Sequence, residues 1–353
     1  MDSEGWRRSV GRLSALVRKE FVQLRRDKRS LALVVAMPAV LMLIFGYAAS
    51  FDVKHLGIEL VGHDSQVVRS VLAASGHFDV HAAVVGDAAQ ATSDLRHGRV
   101  VVAVEVGASG RPVGLLVDGS RLLEATSAER ELAGLIGGGQ TTHLPVEMLW
   151  NPDLRSADFM VPGLIGVIMA QVGMVLTSLG IVRERERGTL DQLMMTPLSR
   201  LELMLGKIFP YLLIAFVDLV MVSGLGIGLF HVPFRGNPVL LLALSALFLA
   251  STLGIGLLIS TVAQNQQQAV QTAIFVLLPQ VLLSGWIFPL TSIPWGVRWL
   301  SYLMPLTYFL PISRGIFLKG LGVPDLWPDI AVLLAMAIVV VGLASARFRR
   351  SLA

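Results

Sequence analysis

The residues best suited to specific binding chemistry lie in one charged segment, residues 183–207, between two long apolar runs. Residues 189–192 (Thr-Leu-Asp-Gln) and 199–202 (Ser-Arg-Leu-Glu) each have the spacing of a capping box, in which side chains satisfy the free backbone amides at a helix start. Pro197 between them cannot continue a helix. The segment is therefore predicted to be two helices that meet at a rigid corner, which is typical of a docking element and not of a catalyst.

The first of these helices carries apolar side chains beside a charged approach. Leu190, Leu193 and Met195 provide the apolar surface, and acidic residues precede it. A compact apolar surface with a charged rim fits a socket on a soluble partner. A plain structured loop is the alternative, but it would need neither two caps nor exposed methionines. The residues that we assign to contact with such a partner are Glu184, Glu186, Gly188, Thr189, Leu190, Leu193, Met195, Thr196 and Pro197.

Polar side chains inside apolar runs indicate a second kind of chemistry, the passage of a substrate or an ion. Asp218 lies near the middle of one such run, where an ionisable side chain is costly and usually faces a cavity or a partner. The alternative is a protonated or hydrogen-bonded residue at a helix interface. Gln171 and Gln280 are weaker candidates by the same reasoning.

Several other functions are disfavoured by the sequence. It contains no Gly-x-x-x-x-Gly-Lys-[Ser/Thr] phosphate-binding loop, so ATP and its Mg²⁺ would have to bind another chain. We find no nucleophile elbow, His-Glu-x-x-His or paired-carboxylate signature, and hence no catalytic residue. There is no cysteine for disulfides or thiolate metal sites, and the histidines lack metal-ligand spacing. We therefore expect no metal site.

The elements that must position these residues are membrane helices. The chain has 353 residues, of which 54% are hydrophobic and 15% charged, and its mean hydropathy of +0.68 is too high for a soluble protein of this size. Six apolar runs, uncharged except for Asp218 in the third, are long enough to cross a hydrocarbon core of about 30 Å. They are residues 31–50, 159–182, 208–230, 239–262, 269–290 and 330–346.

Basic residues predict the orientation of these spans. Lys and Arg are concentrated in residues 1–30, in residues 183–207 and in the tail at residues 347–353, all on one side of a six-span arrangement, which identifies that side as the cytosol. Residues 1–30 have helical apolar spacing and are predicted to lie on the inner leaflet, although an ordinary basic flank is the alternative. The net charge of +4 is thus explained by lipid head groups, and no nucleic-acid partner is expected.

The long segment on the opposite side, residues 51–158, has the pattern of a small α/β domain. Apolar alternation predicts strands at residues 57–62, 78–85, 100–106, 113–117 and 145–150. Helical periodicity predicts helices at residues 67–75, 87–97 and 120–136. The domain is inserted between the first and second spans.

The docking segment resembles the signature of ABC-2 type permeases, the membrane subunits of ATP-binding-cassette exporters. The resemblance rests on Glu184-x-Glu186-x-Gly188-Thr189-Leu190-x-x-Leu193-x-x-Thr196-Pro197, followed by Gly206-Lys207-x-x-Pro210-Tyr211. A second stretch, residues 283–320, is similar to the re-entrant region of that family. The resemblance implies a re-entrant region at residues 291–326, preceded by a turn. The residues that we assign to this region are Gly285, Phe288, Pro289 and Pro305.

The resemblance extends to the whole chain and is closest to drug-exporter-like members with a large external domain. It implies an all-α polytopic membrane protein of six transmembrane helices, with cytosolic termini and the inserted extracytoplasmic α/β domain, in a bacterial cytoplasmic (inner) membrane. It implies export of a hydrophobic or amphiphilic substrate, driven by cytosolic ABC ATPase subunits that hold ATP and Mg²⁺. The expected partners also include a second permease subunit, in a homodimer or heterodimer, and a periplasmic adaptor.

Other classes of function make different demands on the sequence. An ion-coupled secondary transporter predicts inverted repeats and several midplane charges, of which only Asp218 is evident. An ABC permease that exports ions is a further alternative. A membrane-anchored sensor would need only one or two spans and a cytosolic output domain.

Overall fold

The computed structural model describes residues 56–136, 145–188, 200–293 and 295–350, together with Ala15, residues 17–19 and Val22. The predicted first span, residues 31–50, lies outside the described residues. The corner of the docking segment, residues 189–199, also lies outside them. Of the predicted N-terminal helix, residues 1–30, the structure describes only Ala15, residues 17–19 and Val22, which are helical.

The α/β domain is built from five strands and three helices. The strands are β1 (Leu56–Gly62), β2 (Phe78–Val85), β3 (Val102–Val106), β4 (Pro112–Asp118) and β5 (Val146–Leu149). The helices are α1 (Gln66–Ala74), α2 (Ala88–Arg96) and α3 (Leu122–Ile136). All eight lie where the alternating or helical apolar pattern predicts them.

The sheet has the strand order β2-β1-β3-β4-β5. β1 pairs in parallel with β2 and β3, β3 pairs antiparallel with β4, and β4 pairs in parallel with β5. Helix starts are fixed by capping side chains: Ser65 Oγ accepts from Val68 N at 3.4 Å, and Asp87 Oδ1 accepts from Gln90 N at 2.8 Å. One face of the sheet packs under α2, and the other joins an apolar core that continues into the long helices.

Glu59→Gln is expected to remove a pH-dependent loss of stability from this sheet. Glu59 on β1 is 3% exposed, and its Oε1 has no hydrogen-bond partner among the described residues. Burial, assisted by Asp94, raises the pKa of Glu59 from 4.5 to about 7. Because the folded state holds this proton more tightly than the unfolded state, the stabilisation is complete below pH 4.5 and is lost as the pH rises through about 7. The loss is about 3 kcal/mol, at about 1.4 kcal/mol per pK unit.

The apparent Tm of the purified chain, followed from below pH 4.5 to above pH 7, measures this effect. The wild type should lose stability over that interval, whereas Glu59→Gln should lose less. Glu147→Gln changes an exposed glutamate of the same sheet and should keep the wild-type slope. Equal slopes in the wild type and Glu59→Gln would contradict the assignment.

Beyond the domain, the described chain is almost entirely helical. The helices are α4 (Ser156–Glu186), α5 (Arg200–Gly228), α6 (Pro238–Val262), α7 (Gln266–Leu283), α8 (Trp295–Ser301), α9 (Pro305–Arg314) and α10 (Val323–Arg350). A short 3₁₀ helix spans Leu290–Ser292, and a π-helix, Gly315–Lys319, follows α9.

Four of these helices are long and apolar enough to cross a membrane. They are Ser156–Glu186, Phe209–Gly228 within α5, Pro238–Val262, and Val323–Arg347 within α10. The helix in the fifth predicted span, α7, has 18 residues, begins with three glutamines and contains Pro279, and it is not among the four. The prediction of six spans therefore requires that α7 and residues 31–50 also cross the membrane. Residues 31–50 lie outside the described part of the chain.

α4 is the central helix, and its most apolar window is 89% buried, compared with 28% in α5 and 17% in α10. Glycines on α4 allow the close approach of its neighbours. A Cβ at Gly163 would lie 2.3 Å from Trp286 Cδ1, and one at Gly173 would lie 2.7 Å from Thr252 Oγ1 of α6. Trp286 is 1% exposed. The outward faces of α5 and α10 are apolar and exposed, as expected for helices that contact lipid or another subunit.

Candidate functional site

The C-terminal end of α4 is tied by side chains to the junction between α6 and α7. Arg185 donates through Nη1 to Ala263 O at 3.0 Å and through Nη2 to Ser260 O at 2.6 Å. Arg183 Nε donates to Gln266 Oε1 at 3.1 Å. Glu186 Oε1 accepts from Gln266 N at 2.9 Å, and Glu186 Oε2 accepts from Gln266 Nε2.

We call these contacts, made by Arg183, Arg185 and Glu186 to residues 260–266, the α4 clasp. They are side-chain interactions with charged groups, which are stronger than neutral hydrogen bonds. Two of the contacts satisfy carbonyls at the C-terminal end of α6, where an arginine also complements the helix dipole. The end of α4 is therefore bonded both to the C-terminal end of α6 and to the first turn of α7.

The structure places the first three predicted docking residues at this end of α4. Glu184 is 3% exposed and accepts from Lys19 Nζ at 2.7 Å, so the N-terminal region also reaches this site. Glu186 is exposed and belongs to the clasp. Gly188 ends the helix with φ +65°, a left-handed conformation that glycine adopts without steric cost. The other predicted docking residues, from Thr189 to Pro197, lie outside the described residues.

The three polar side chains predicted for a substrate path occupy different positions. Asp218 on α5 is 1% exposed, and neither of its carboxylate oxygens has a hydrogen-bond partner in the described part of the chain. Gln280 on α7 is fully buried and donates through Nε2 to Met174 Sδ at 3.5 Å. Gln171 on α4 is half-buried. No hydrogen bond between described residues joins the three into one site.

The residues predicted for the re-entrant region lie at the opposite end of the helices. Gly285 has φ +92° and lets the chain leave α7 abruptly. Pro289 precedes the 3₁₀ helix, Pro305 occupies the first turn of α9, and Phe288 is 38% exposed. Gly285 and Pro289 also line a cavity of about 370 Å³ beneath the α/β domain.

A lysine that the sequence did not single out connects this end of the helices to the α/β domain. Lys319 Nζ, at the end of the π-helix, donates to Asp118 Oδ2 at 2.6 Å, Leu95 O at 3.0 Å and Arg96 O at 3.2 Å. Its ammonium lies 4.6 Å from the ring centroid of Trp150. Asp118 is fully buried. We call this set of contacts the Lys319 strut.

A second contact supports the same junction. His97, which follows α2, places Nε2 3.2 Å from Asp325 Oδ1 in the first turn of α10. Arg121, at the start of α3, donates through Nη2 to Glu124 Oε1 at 2.8 Å. Burial raises the pKa of Glu124, and Arg121 opposes that shift. The α/β domain is therefore joined to the π-helix by the Lys319–Asp118 ion pair and to α10 by the contact between His97 and Asp325.

The architecture defines a multi-pass membrane protein with an α/β domain inserted ahead of a bundle of long apolar helices. The family model for the ABC-2 family transporter protein matches residues 28–346, which is most of the chain. The chain belongs to this family.

The similar curated proteins carry consistent names. The probable multidrug ABC transporter permease YbhS of Escherichia coli is 31% identical over 98% of both chains. The probable multidrug ABC transporter permease YbhR of the same organism is 28% identical over 96% of this chain and 98% of its own length. The ABC transporter G family member 20 of Dictyostelium discoideum is 22% identical over 94% of this chain and 50% of that protein. These relatives identify the chain as the membrane component of an ABC transporter.

Proposed function

We propose that the chain is the permease subunit of an ABC exporter that moves a hydrophobic or amphiphilic substrate out of the cytoplasm. Energy comes from ATP and Mg²⁺ on separate cytosolic ATPase subunits. The observation that carries this proposal is the α4 clasp, which lies directly before the predicted docking residues 189–197. A partner that moves these residues would move α4, α6 and α7 together.

The arrangement of the helices supports this mechanism. α4 packs against α5, α6, α7 and α9. A shift of its C-terminal end would therefore displace the helices that contact it. The N-terminal end of α4 follows the α/β domain directly, and Phe159 in its first turn belongs to the core shared with the sheet. A motion that begins at residues 183–188 can thus reach the α/β domain along a single helix.

The proposal includes an orientation and an assembly. The proposed arrangement has six spans, cytosolic termini and an extracytoplasmic α/β domain in a bacterial inner membrane. The basic residues within residues 183–207 support a cytosolic position for that segment. The exposed apolar faces of α5 and α10 provide surfaces for lipid and for a second permease subunit. The α/β domain provides a surface for a periplasmic adaptor. The names of the relatives YbhS and YbhR favour a drug-like substrate.

Co-assembly with the cognate ATPase tests this function. In vesicles that contain both subunits, hydrophobic cations and amphiphiles that are transported should raise ATP turnover by a few fold, and transport should require ATP. An ATPase variant that cannot hydrolyse ATP serves as the control. An equal rate of ATP hydrolysis in vesicles with and without this chain would contradict the permease assignment.

The same vesicles separate an ATP-driven permease from an ion-coupled transporter. Asp218, buried with two unpartnered oxygens, is the described residue that favours an ion path. Substrate movement that follows an imposed proton gradient without ATP would replace the exporter with a secondary transporter. ATP-dependent movement of an inorganic cation, without movement of any amphiphile, would keep the assignment as an ABC permease and change only the proposed substrate.

A further inference from the structure

The cavity between the α/β domain and the helices has the dimensions of a small-molecule site. Its volume is about 370 Å³, within the range of about 300–1,000 Å³ that is usual for ligand pockets. Its walls come from both parts of the molecule: α3 supplies Leu123 and Glu124, α4 supplies Phe159, α9 supplies Leu310 and Arg314, and α10 supplies Leu326. The cavity therefore combines an apolar lining with charged groups.

Most charged groups on the cavity wall already have partners. Glu124 accepts a hydrogen bond from Arg121, and Lys319 donates one to Asp118. Asp325 lies within hydrogen-bond distance of His97. Asp329 on α10 is the remaining acid of the wall. Arg314 is a half-buried cation of the wall that Glu124 attracts electrostatically. Most of its hydrogen-bonding capacity is nevertheless unused among the described residues.

The Arg314 guanidinium is held in place by its surroundings. Its Cζ lies 3.8 Å from the ring centroid of Phe159, and Nη1 donates to Gly285 O at 3.5 Å, the limit of a hydrogen bond. Nε and Nη2 are buried and have no hydrogen-bond partner in the described part of the chain. A stacked guanidinium with a free Nε and Nη2 presents the fork that binds a carboxylate or a phosphate through two parallel hydrogen bonds.

We propose that this cavity binds an amphiphilic organic anion, with its carboxylate or phosphate on Nε and Nη2 of Arg314 and its apolar part among Leu123, Leu310 and Leu326. An anion would satisfy the two buried N–H groups, which otherwise carry an unfavourable desolvation cost. The apolar walls supply the remaining contacts. The site does not depend on the proposed transport function, because the groups that form it belong to this chain alone.

Photolabelling of the full-length chain tests the proposal. The probe is dodecanoate with a diazirine on its alkyl chain, added to protein in phosphatidylcholine nanodiscs, and labelled peptides are mapped by mass spectrometry. We expect labels in α3 and α9. Unlabelled dodecanoate or dodecyl phosphate should suppress them, whereas dodecanol should not. Suppression by added phosphatidylglycerol would identify a lipid head group as the source of the anion, and suppression only by the single-chain anions would identify a free amphiphile.

Variants of arginine assign the anion contact. Arg314→Gln should reduce labelling of α3 and α9 at least tenfold, and Arg314→Lys, which keeps the charge but not the fork, should reduce it less. Arg235→Gln removes the same charge from an exposed residue that does not line the cavity, and it should label like the wild type. Equal labelling by a diazirine dodecanol, or undiminished labelling in both Arg314 variants, would overturn the proposal. If Arg314→Gln does not fold, the lysine variant and the dodecanol comparison decide.

Discussion

Lys319→Met is expected to destabilise the chain by about 3–5 kcal/mol, the usual cost of removing one partner from a buried ion pair. Lys319 is the cation of the strut, and its removal leaves the carboxylate of Asp118, which is 0% exposed, without its opposite charge. It also removes the donor to the two carbonyls that end α2. Chemical denaturation of the purified chain in detergent gives the change in unfolding free energy.

Two matched variants test whether the loss comes from the unpaired charge. Arg99→Met removes a pair of similar length, 2.7 Å to Asp94, but the arginine side chain is 69% exposed, so the expected cost is about 0–1 kcal/mol. Lys319→Met combined with Asp118→Asn removes both charges and keeps an acceptor for Ser120. The double variant should be more stable than Lys319→Met alone. A double variant as unstable as the single one would show that packing, and not charge, is what the lysine contributes.

The strut was not predictable from the sequence, although the elements on both sides of it were. Strands β1 to β5 follow from apolar alternation, and α1 and α2 begin at residues whose side chains cap them. Such signals act over a few residues. Lys319 and Asp118 are 201 positions apart. Their pairing depends on how the sheet sits on the helices, which no local pattern specifies.

At the end of α4, too, local sequence signals predict the structure of the backbone but not the contacts between residues that are distant in the sequence. A glycine is a common local signal for the end of a helix, and in the structure Gly188 follows α4 in the left-handed conformation. The sequence also predicts that Glu184 and Glu186 form a charged rim for a partner. In the structure both make contacts within the chain, to Lys19 and Gln266, because the chain returns to this end of α4 from distant positions. Their contact with a partner remains a prediction.

The aromatic residues near the re-entrant region show where composition misleads. Trp and Tyr close to a membrane helix end are typical of the lipid interface, and Trp299 and Tyr302 are indeed exposed. Trp286 is instead buried against Gly163, and its Nε1 donates to Met160 O at 3.4 Å. Trp286 is buried because Gly163 of α4 leaves room for its ring, and this match depends on two segments that are far apart in the sequence.

Glu186→Ala is expected to uncouple ATP hydrolysis from transport in the assembled complex while the chain remains inserted and folded. The variant removes the two acceptors that hold the backbone amide and side chain of Gln266 and leaves the bond from Arg183 to Gln266 as the contact of the clasp with α7. The amount of substrate moved per ATP hydrolysed should therefore fall several-fold, measured in the vesicles described above.

Three further variants identify the route of the coupling. Gln266→Ala lies outside the docking segment and removes the side-chain bonds to Glu186 and Arg183 while it keeps the backbone bond to Glu186. It should therefore uncouple in the same direction as Glu186→Ala if the clasp transmits the motion. Gly188→Pro should also uncouple, because proline cannot adopt the φ of +65° at which α4 ends. Glu147→Ala, at an exposed glutamate of β5, controls for loss of a carboxylate and should transport normally. Wild-type coupling in Gln266→Ala together with uncoupling in Glu186→Ala would mean that Glu186 acts through its backbone bond to residue 266 or by touching the ATPase directly. Wild-type coupling in both would remove the contacts between Glu186 and Gln266 from the mechanism.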